Sequence, residues 1–348
     1  MPYLLCMIKP FRIIWVLILL PPFLIAQHKN DTHLDNGMKK YDSGDYKGAI
    51  KEYNLEIEQK PAFHRCYIER GLAKAALGSY KDAIKDYDKS IDLNSGDERA
   101  YVAKAKSLIK LKEFNGALVN FNLAIKLNPE YALAYYNRGQ TRKELKDYNG
   151  AMSDYNKSLK FDPSDPDVYL SRGNLFDDLG NFKEAVLNYN HAIKLNPNYS
   201  LAFYNRGNTR RRMGDFKEAI KDYTKSIRLN INDGDAYYER GLLRYKLNDF
   251  NNSLNDFIKS CILNPKDEIA YLYIAMIYSK LNNKELASKW FDEAVNMNQK
   301  NSTCFFERGK FRCHSHQYDS ALSDLNEAII LKPNDPDFYN ERGIVRLA

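Results

Sequence analysis

Arginine stands directly before a glycine at Arg70, Arg138, Arg172, Arg206, Arg240, Arg308 and Arg342. Sixteen residues after most of these lies an acid or its amide: Asp86, Asp154, Asn188, Asp222, Asp256 and Asp324. A guanidinium and a carboxylate can join through two parallel N–H donors, so the spacing predicts an ion pair repeated along the chain. Departures from it move together: Asn36 is matched by Glu52, Lys104 by Asn120 and Ile274 by Trp290. The apolar Ile274 and Trp290 pair puts the position in a partly buried setting. An arginine series could instead form a ladder for phosphates, but guanidinium groups already matched to carboxylates are poor anion receptors.

A second polar set comprises Tyr136, Asn137, Gln140, Asn174, Tyr204, Asn205, Asn208, Arg211 and Tyr238. Amide side chains present a donor and an acceptor together, which suits the main chain of an extended peptide whatever its sequence. Tyrosines add rigid contact area. At corresponding phases the outer parts of the chain carry Leu72, Ala75, Ala76, Val102 and Met276, so the polar lining belongs to the middle. Asp177 and Asp178 beside Arg211 and Arg212 favour a partner of mixed charge over a polyanion.

Other chemistry finds little footing. Cys304, Cys313, His314 and His316 hold donor atoms, but no second ligand pair supports them, so no metal and no cofactor is expected. No Ser, His and acid arrangement and no phosphate-binding loop appears, so the chain is read as non-enzymatic.

These residues recur because the whole chain does. Gly37, Gly71, Ala105, Gly139, Gly173, Gly207, Gly241, Ala275, Gly309 and Gly343 follow one another at 34 residues without a break, a period that belongs to stacked repeats. Within one period, residues three or four apart form two apolar faces, which predicts two amphipathic helices. Gly44, Gly78, Gly180 and Gly214, with Asn248 and Asn282 at the same phase, suit the left-handed residue that ends the first helix. Asp45, Ser79, Asp147, Asn181, Asp215, Asp249 and Asn283 stand where a side chain can cap the second. Asp165-Pro166 and Asp335-Pro336 open a unit with a cap and a first-turn proline. The glycine of the first helix is expected to face the alanine twelve places later, as in Gly207 and Ala219, and the stripe Tyr53, Tyr87, Phe121, Tyr155, Tyr189, Tyr223, Phe257 and Phe291 is expected in the core.

Aromatic, glycine, alanine, aromatic, small residue and proline in this order and period resemble the tetratricopeptide repeat family over about residues 30–348, as nine complete units and a partial tenth. The resemblance implies an all-α, right-handed superhelical solenoid of antiparallel helix pairs. It also implies a concave groove, lined by the first helices, that holds an extended peptide or a partner helix. Scaffolds without catalytic residues are common in that family, and many of its members carry an apolar residue where this chain has the arginine series. The asparagines at 137, 174, 205 and 208 are similar to the ladder by which some members hold peptide main chains. The clamp that other members use for chaperone tails needs a lysine three places before the glycine, and no unit here has one.

Residues 1–26 read as a signal peptide or membrane anchor: Lys9 and Arg12 precede the apolar run Ile13 to Ala26. The solenoid is then residues 27–348. An exported protein is the first expectation, and a membrane tether through residues 13–26 the second. Loss of residues 1–26 lowers the formal charge from +7 to +5, too mild an excess for nucleic acid to be expected as a partner. The remaining cysteines, Cys66, Cys261, Cys304 and Cys313, are scattered in phase and predict no disulfide framework. The function expected is a scaffold for a protein or peptide partner. The alternatives are a docking arm of a larger enzyme that continues beyond Ala348 and a helical-repeat nucleic-acid binder.

Overall fold

A computed structural model describes residues 32–348, and the signal-like segment lies outside the described residues. Nineteen α-helices and no strand occur among the described residues. The first six are Thr32–Asp42 (α1), Tyr46–Gln59 (α2), His64–Ala76 (α3), Tyr80–Leu93 (α4), Glu98–Lys110 (α5) and Phe114–Leu127 (α6). Next come Ala132–Glu144 (α7), Tyr148–Phe161 (α8), Pro166–Asp178 (α9), Phe182–Leu195 (α10), Ser200–Arg212 (α11) and Phe216–Leu229 (α12). The rest are Gly234–Lys246 (α13), Phe250–Leu263 (α14), Glu268–Lys280 (α15), Lys284–Met297 (α16), Ser302–His314 (α17), Tyr318–Leu331 (α18) and Pro336–Leu347 (α19). Within each of two compact units, consecutive helices pack as pairs, odd-numbered with even-numbered. None of the described helices is long and apolar enough to cross a membrane.

Helix packing divides the chain into two compact units, one ending at Thr141 and one running from Arg142 to Ala348, a division that the unbroken period does not announce. In each, first helices of 13 residues alternate with second helices of 14, as in α3 with α4 and α13 with α14. Equal lengths keep every side chain at one phase of the repeat on one face.

The left-handed turn residue is present in all nine pairs. Gly44, Gly78, Gly180 and Gly214 have φ near 80°, and Asn248 and Asn282 near 60°. Lys112, Lys146 and His316 hold the same phase with φ of 60–63°, at the steric penalty of a side chain in that region. Capping is less uniform than the residue types predict. Asp45, Asp147 and Asn283 accept from the backbone N–H three places on, but Ser79, Asn181, Asp215 and Asp249 occupy the cap position without making that bond. Asp165 and Asp335 accept from the N–H of Asp167 and Asp337, with proline in the first turn of α9 and α19.

The nearest contact of a Cβ added at the repeat glycine is the residue sixteen places later: it lies 2.5 Å from Tyr87 Cε1 at Gly71, 2.8 Å from Tyr223 Cε1 at Gly207 and 3.0 Å from Leu325 Cγ at Gly309, where the carbonyl of the alanine at twelve, Ala321, also lies at 3.4 Å. Side chains tilt toward the N-terminus of their helix, so a ring one turn further along the second helix covers the spot opposite the glycine. The alanines remain fully buried, as Ala83 and Ala219 do, and the whole aromatic stripe is buried to within 2%. Glycine is needed here for the ring's close approach.

Candidate functional site

Arg70, Arg172, Arg206, Arg240 and Arg308 of the first helices each bridge two second helices. In the first unit Arg70 gives Nε and Nη2 to Asp86 at 3.0 and 2.6 Å, and Nη1 to Asn54 at 2.7 Å on the preceding second helix. In the second unit Arg206 holds Asp222 at 2.9 and 2.6 Å, with Nη1 on Asn190. Arg240 holds Asp256 at 3.0 and 2.7 Å and Thr224 at 3.0 Å. Arg308 holds Asp324 at 3.0 and 2.7 Å and Asp292 at 2.8 Å. Each guanidinium also lies over the ring three residues earlier, Arg70 over Tyr67 at 5.3 Å and Arg240 over Tyr237 at 5.5 Å. A second cation one turn on joins each aspartate: Lys74 on Asp86, Arg210 on Asp222, Arg244 on Asp256 and Arg312 on Asp324.

Arg138 and Asp154 belong to different units. Arg138 donates to Asn122 at 2.6 Å in the first, and Asp154 accepts from Arg142 at 2.8 Å in the second. Lys104 reaches back to Asp88 at 2.5 Å, and Asn120 turns to the carbonyl of Gly116. Guanidiniums matched in this way to acids and amides link neighbouring helices and have few donors left for an anion.

Arg172 is the exception that tests the ladder. Its Nε meets Asn188 at 2.8 Å and Nη1 meets Asn156 at 2.8 Å, so these hydrogen bonds go to amides, and burial lowers its pKa, opposed only in part by Tyr169 and Glu184. Asn188→Asp is expected to stabilise the second unit by about 1 kcal/mol at neutral pH, net of the lost bond from Asn188 to the Glu184 carbonyl. Urea denaturation measures it.

The amide and tyrosine set divides. Tyr136, Asn137 and Gln140 lie in the first unit, where Asn137 donates to the Leu133 carbonyl at 2.7 Å and Gln140 to the Tyr136 hydroxyl at 2.9 Å. In the second unit Asn174, Asn205 and Asn208 line one cavity of about 300 Å³ with Lys143, Asp177, Asp178 and Tyr189. Asn174 Oδ1 accepts from the Tyr189 hydroxyl at 2.9 Å and from Asn205 Nδ2 at 2.8 Å, and Asn208 Oδ1 accepts from the Tyr223 hydroxyl at 2.8 Å. Burial pushes both tyrosine pKa values well above the ordinary phenol range, so both hydroxyls stay protonated and donate. Among the described residues the NH₂ group of Asn174 and the Oδ1 of Asn205 then make no further hydrogen bond, whereas Asn208 also hydrogen-bonds the Tyr204 hydroxyl.

Around this cavity charge cancels pairwise. Asp177 accepts from Thr209 at 2.7 Å and from Arg212, Asp178 meets Lys143 at 2.9 Å, and Arg211 meets Glu239 at 3.1 Å. Arg211 is thus engaged by an acid of the next first helix. Tyr204 and Tyr238 are half-buried: Tyr204 packs on Tyr223 at 5.8 Å between ring centres, and Tyr238 packs on Phe257 at 5.6 Å. The sequence reading placed Tyr189 and Tyr223 in the core and missed their hydroxyls as the groups that orient the asparagines. The residue types alone do not give this: tyrosine is the core ring at Asn174 and Asn208, but also where Met38 and Leu72 follow the glycine, with Tyr53 and Tyr87.

Family models described as TPR repeat match residues 105–145, 139–180 and 173–214, and models described as tetratricopeptide repeat match 64–97, 200–233 and 269–301, together more than half of the chain. No curated protein matches it. Among solved structures, the C-terminal part of a TPR repeat-containing protein from Cytophaga hutchinsonii is 18% identical and superposes with a TM-score of 0.59 over 68% of this chain and 97% of that one. Pseudomonas aeruginosa PilF is 18% identical, with a TM-score of 0.53 over 62% of this chain and 97% of its own. YrrB, described as a TPR protein with an unusual peptide-binding site, is 21% identical, with a TM-score of 0.50 over 54% of this chain and 97% of its own. These likenesses concern the fold.

Proposed function

The chain belongs to the tetratricopeptide repeat family, and from that premise we propose that it is a non-enzymatic scaffold whose second unit holds an extended peptide along its first helices. The observation that carries this reading is the trio Asn174, Asn205 and Asn208, which lines a single cavity and presents there the unused amide donor of Asn174 and the unused acceptor of Asn205 beside the tyrosine-held amide of Asn208. A peptide main chain offers the complementary carbonyls and N–H groups. Pairwise charge cancellation around the trio favours a neutral backbone over a phosphate chain.

Pre-orientation is central to this reading. A free asparagine rotates about two bonds and must be ordered on binding, whereas one fixed by a buried tyrosine hydroxyl has already lost that freedom. An affinity capture with the wild type and with the Asn174→Ala, Asn205→Ala, Asn208→Ala variant, followed by mass spectrometry, is expected to show a partner retained only by the wild type. Equal recovery with both would remove the asparagine trio from the binding surface and leave the fold untouched.

A further inference from the structure

Further along the second unit a larger cavity, of about 710 Å³, opens among the C-terminal halves of α13, α15 and α17 and the start of α16. Its apolar lining comes from Tyr245, Met276 and the buried rings of Phe291 and Phe311. Its charged lining is Lys280, Lys284, Lys310 and Glu307, with His314 beside them. Here the charges do not cancel. Lys310 sits 3.2 Å from both oxygens of Glu307, but Lys280 and Lys284 are exposed and have no acidic partner among the described residues.

Repeats of one chain act as controls for each other, and they show why the cavity exists. The first residue of the second helix is aromatic in eight of nine pairs: Tyr46, Tyr80, Phe114, Tyr148, Phe182, Phe216, Phe250 and Tyr318. The ring packs on the first helix, as Phe250 does on Tyr245 at 5.6 Å. The ninth case is Lys284, which removes the ring and brings a cation to the space. Lysine at the first position of a helix opposes the helix dipole, which favours an acid there, so α16 gains nothing from it. Lys280, in the last turn of α15, is explained by its own helix dipole, but Lys284 is not.

We propose that this cavity anchors an acidic–aliphatic segment of the bound peptide, an aliphatic side chain entering between Met276 and Phe311 and a neighbouring Asp or Glu meeting Lys280 and Lys284. The proposal rests on the peptide-binding reading above and assigns it a partner chemistry. A cavity of this size accommodates one large side chain with its flanking backbone. The apolar floor and Glu307 favour a peptide over a nucleic-acid strand, which would meet mainly cations.

The test is fluorescence anisotropy with a short labelled peptide alternating Asp and Leu, the same peptide with Asn for Asp, and a labelled oligothymidylate. The Asp–Leu peptide is expected to bind best, and Lys280→Glu with Lys284→Glu to weaken it roughly tenfold or more. Lys284→Tyr, which restores the ring of the other repeats, is expected to weaken it as well. Both lysines are exposed, and an unchanged circular dichroism spectrum shows that the variants fold. Equal binding of the Asn–Leu peptide, tighter binding of the oligothymidylate, or no binding of the Asp–Leu peptide overturns the proposal. Binding that ignores both lysine variants but is lost on Asn174→Ala with Asn208→Ala also overturns it, while leaving the peptide-binding reading in place.

Discussion

Arg240→Ala is expected to lower the unfolding free energy of the second unit by about 3–5 kcal/mol, read from urea denaturation. Arg240 and Asp256 side chains are 11% and 3% exposed, so solvent screening is weak. Removing the guanidinium takes two of the three donors from Asp256 and leaves only Arg244 at 2.7 Å. It also strips the link to Thr224 on the preceding second helix, so an inter-repeat contact fails together with an intra-repeat one. Arg240→Met with Asp256→Leu is expected to recover most of the loss, because the main penalty is a buried charge left without its partner. Arg342 serves as the internal control. It reaches Asn326 at 2.9 Å on an exposed rung, and Arg342→Ala should stay within about 0.5 kcal/mol. A loss below about 1 kcal/mol for Arg240→Ala would mean that the rung is hydrated and contributes little.

Half of this ladder was legible in the residues and half was missed. The link to Asp sixteen places on could be read because its partners change together, Ile274 with Trp290 being the clearest case. The link sixteen places back runs between repeats, and reading each unit by itself hides it. Its acceptors still share one phase: Asn54, Asn122, Asn156, Asn190, Thr224, Asp292 and Asn326. They also change with the cation, since Lys104 is matched by Asp88 and Ile274 by Ile258. Helix pairs and turns were legible because each depends on residues within one turn of each other. The binding surface was legible only in part. Which way a tyrosine hydroxyl points depends on how its ring is packed, so half-buried Tyr204 and Tyr238 stack on core rings while fully buried Tyr189 and Tyr223 set the asparagines.

Gly207→Ala is expected to destabilise the second unit by about 2 kcal/mol relative to Gly241→Ala, although both put the same methyl at the same phase. At Gly207 the new Cβ falls 2.8 Å from Tyr223 Cε1, whereas at Gly241 it falls 3.3 Å from the ring of Phe257. Alanine gains about 1 kcal/mol in helix propensity at either site, so Gly241→Ala should come out close to neutral. The Tyr223 ring cannot retreat freely, because it is fully buried and its hydroxyl is fixed on Asn208. Phenylalanine has no such anchor, and the chain already pairs Ala105 with Phe121 and Ala275 with Phe291. Gly207→Ala should therefore cost less in a Tyr223→Phe background than alone, a coupling that a double-mutant cycle measures directly. Additive costs would show that the hydroxyl does not hold the ring. The same cycle bears on function, since a ring displaced by the methyl carries its hydroxyl with it and turns the amide of Asn208 away from the cavity it lines.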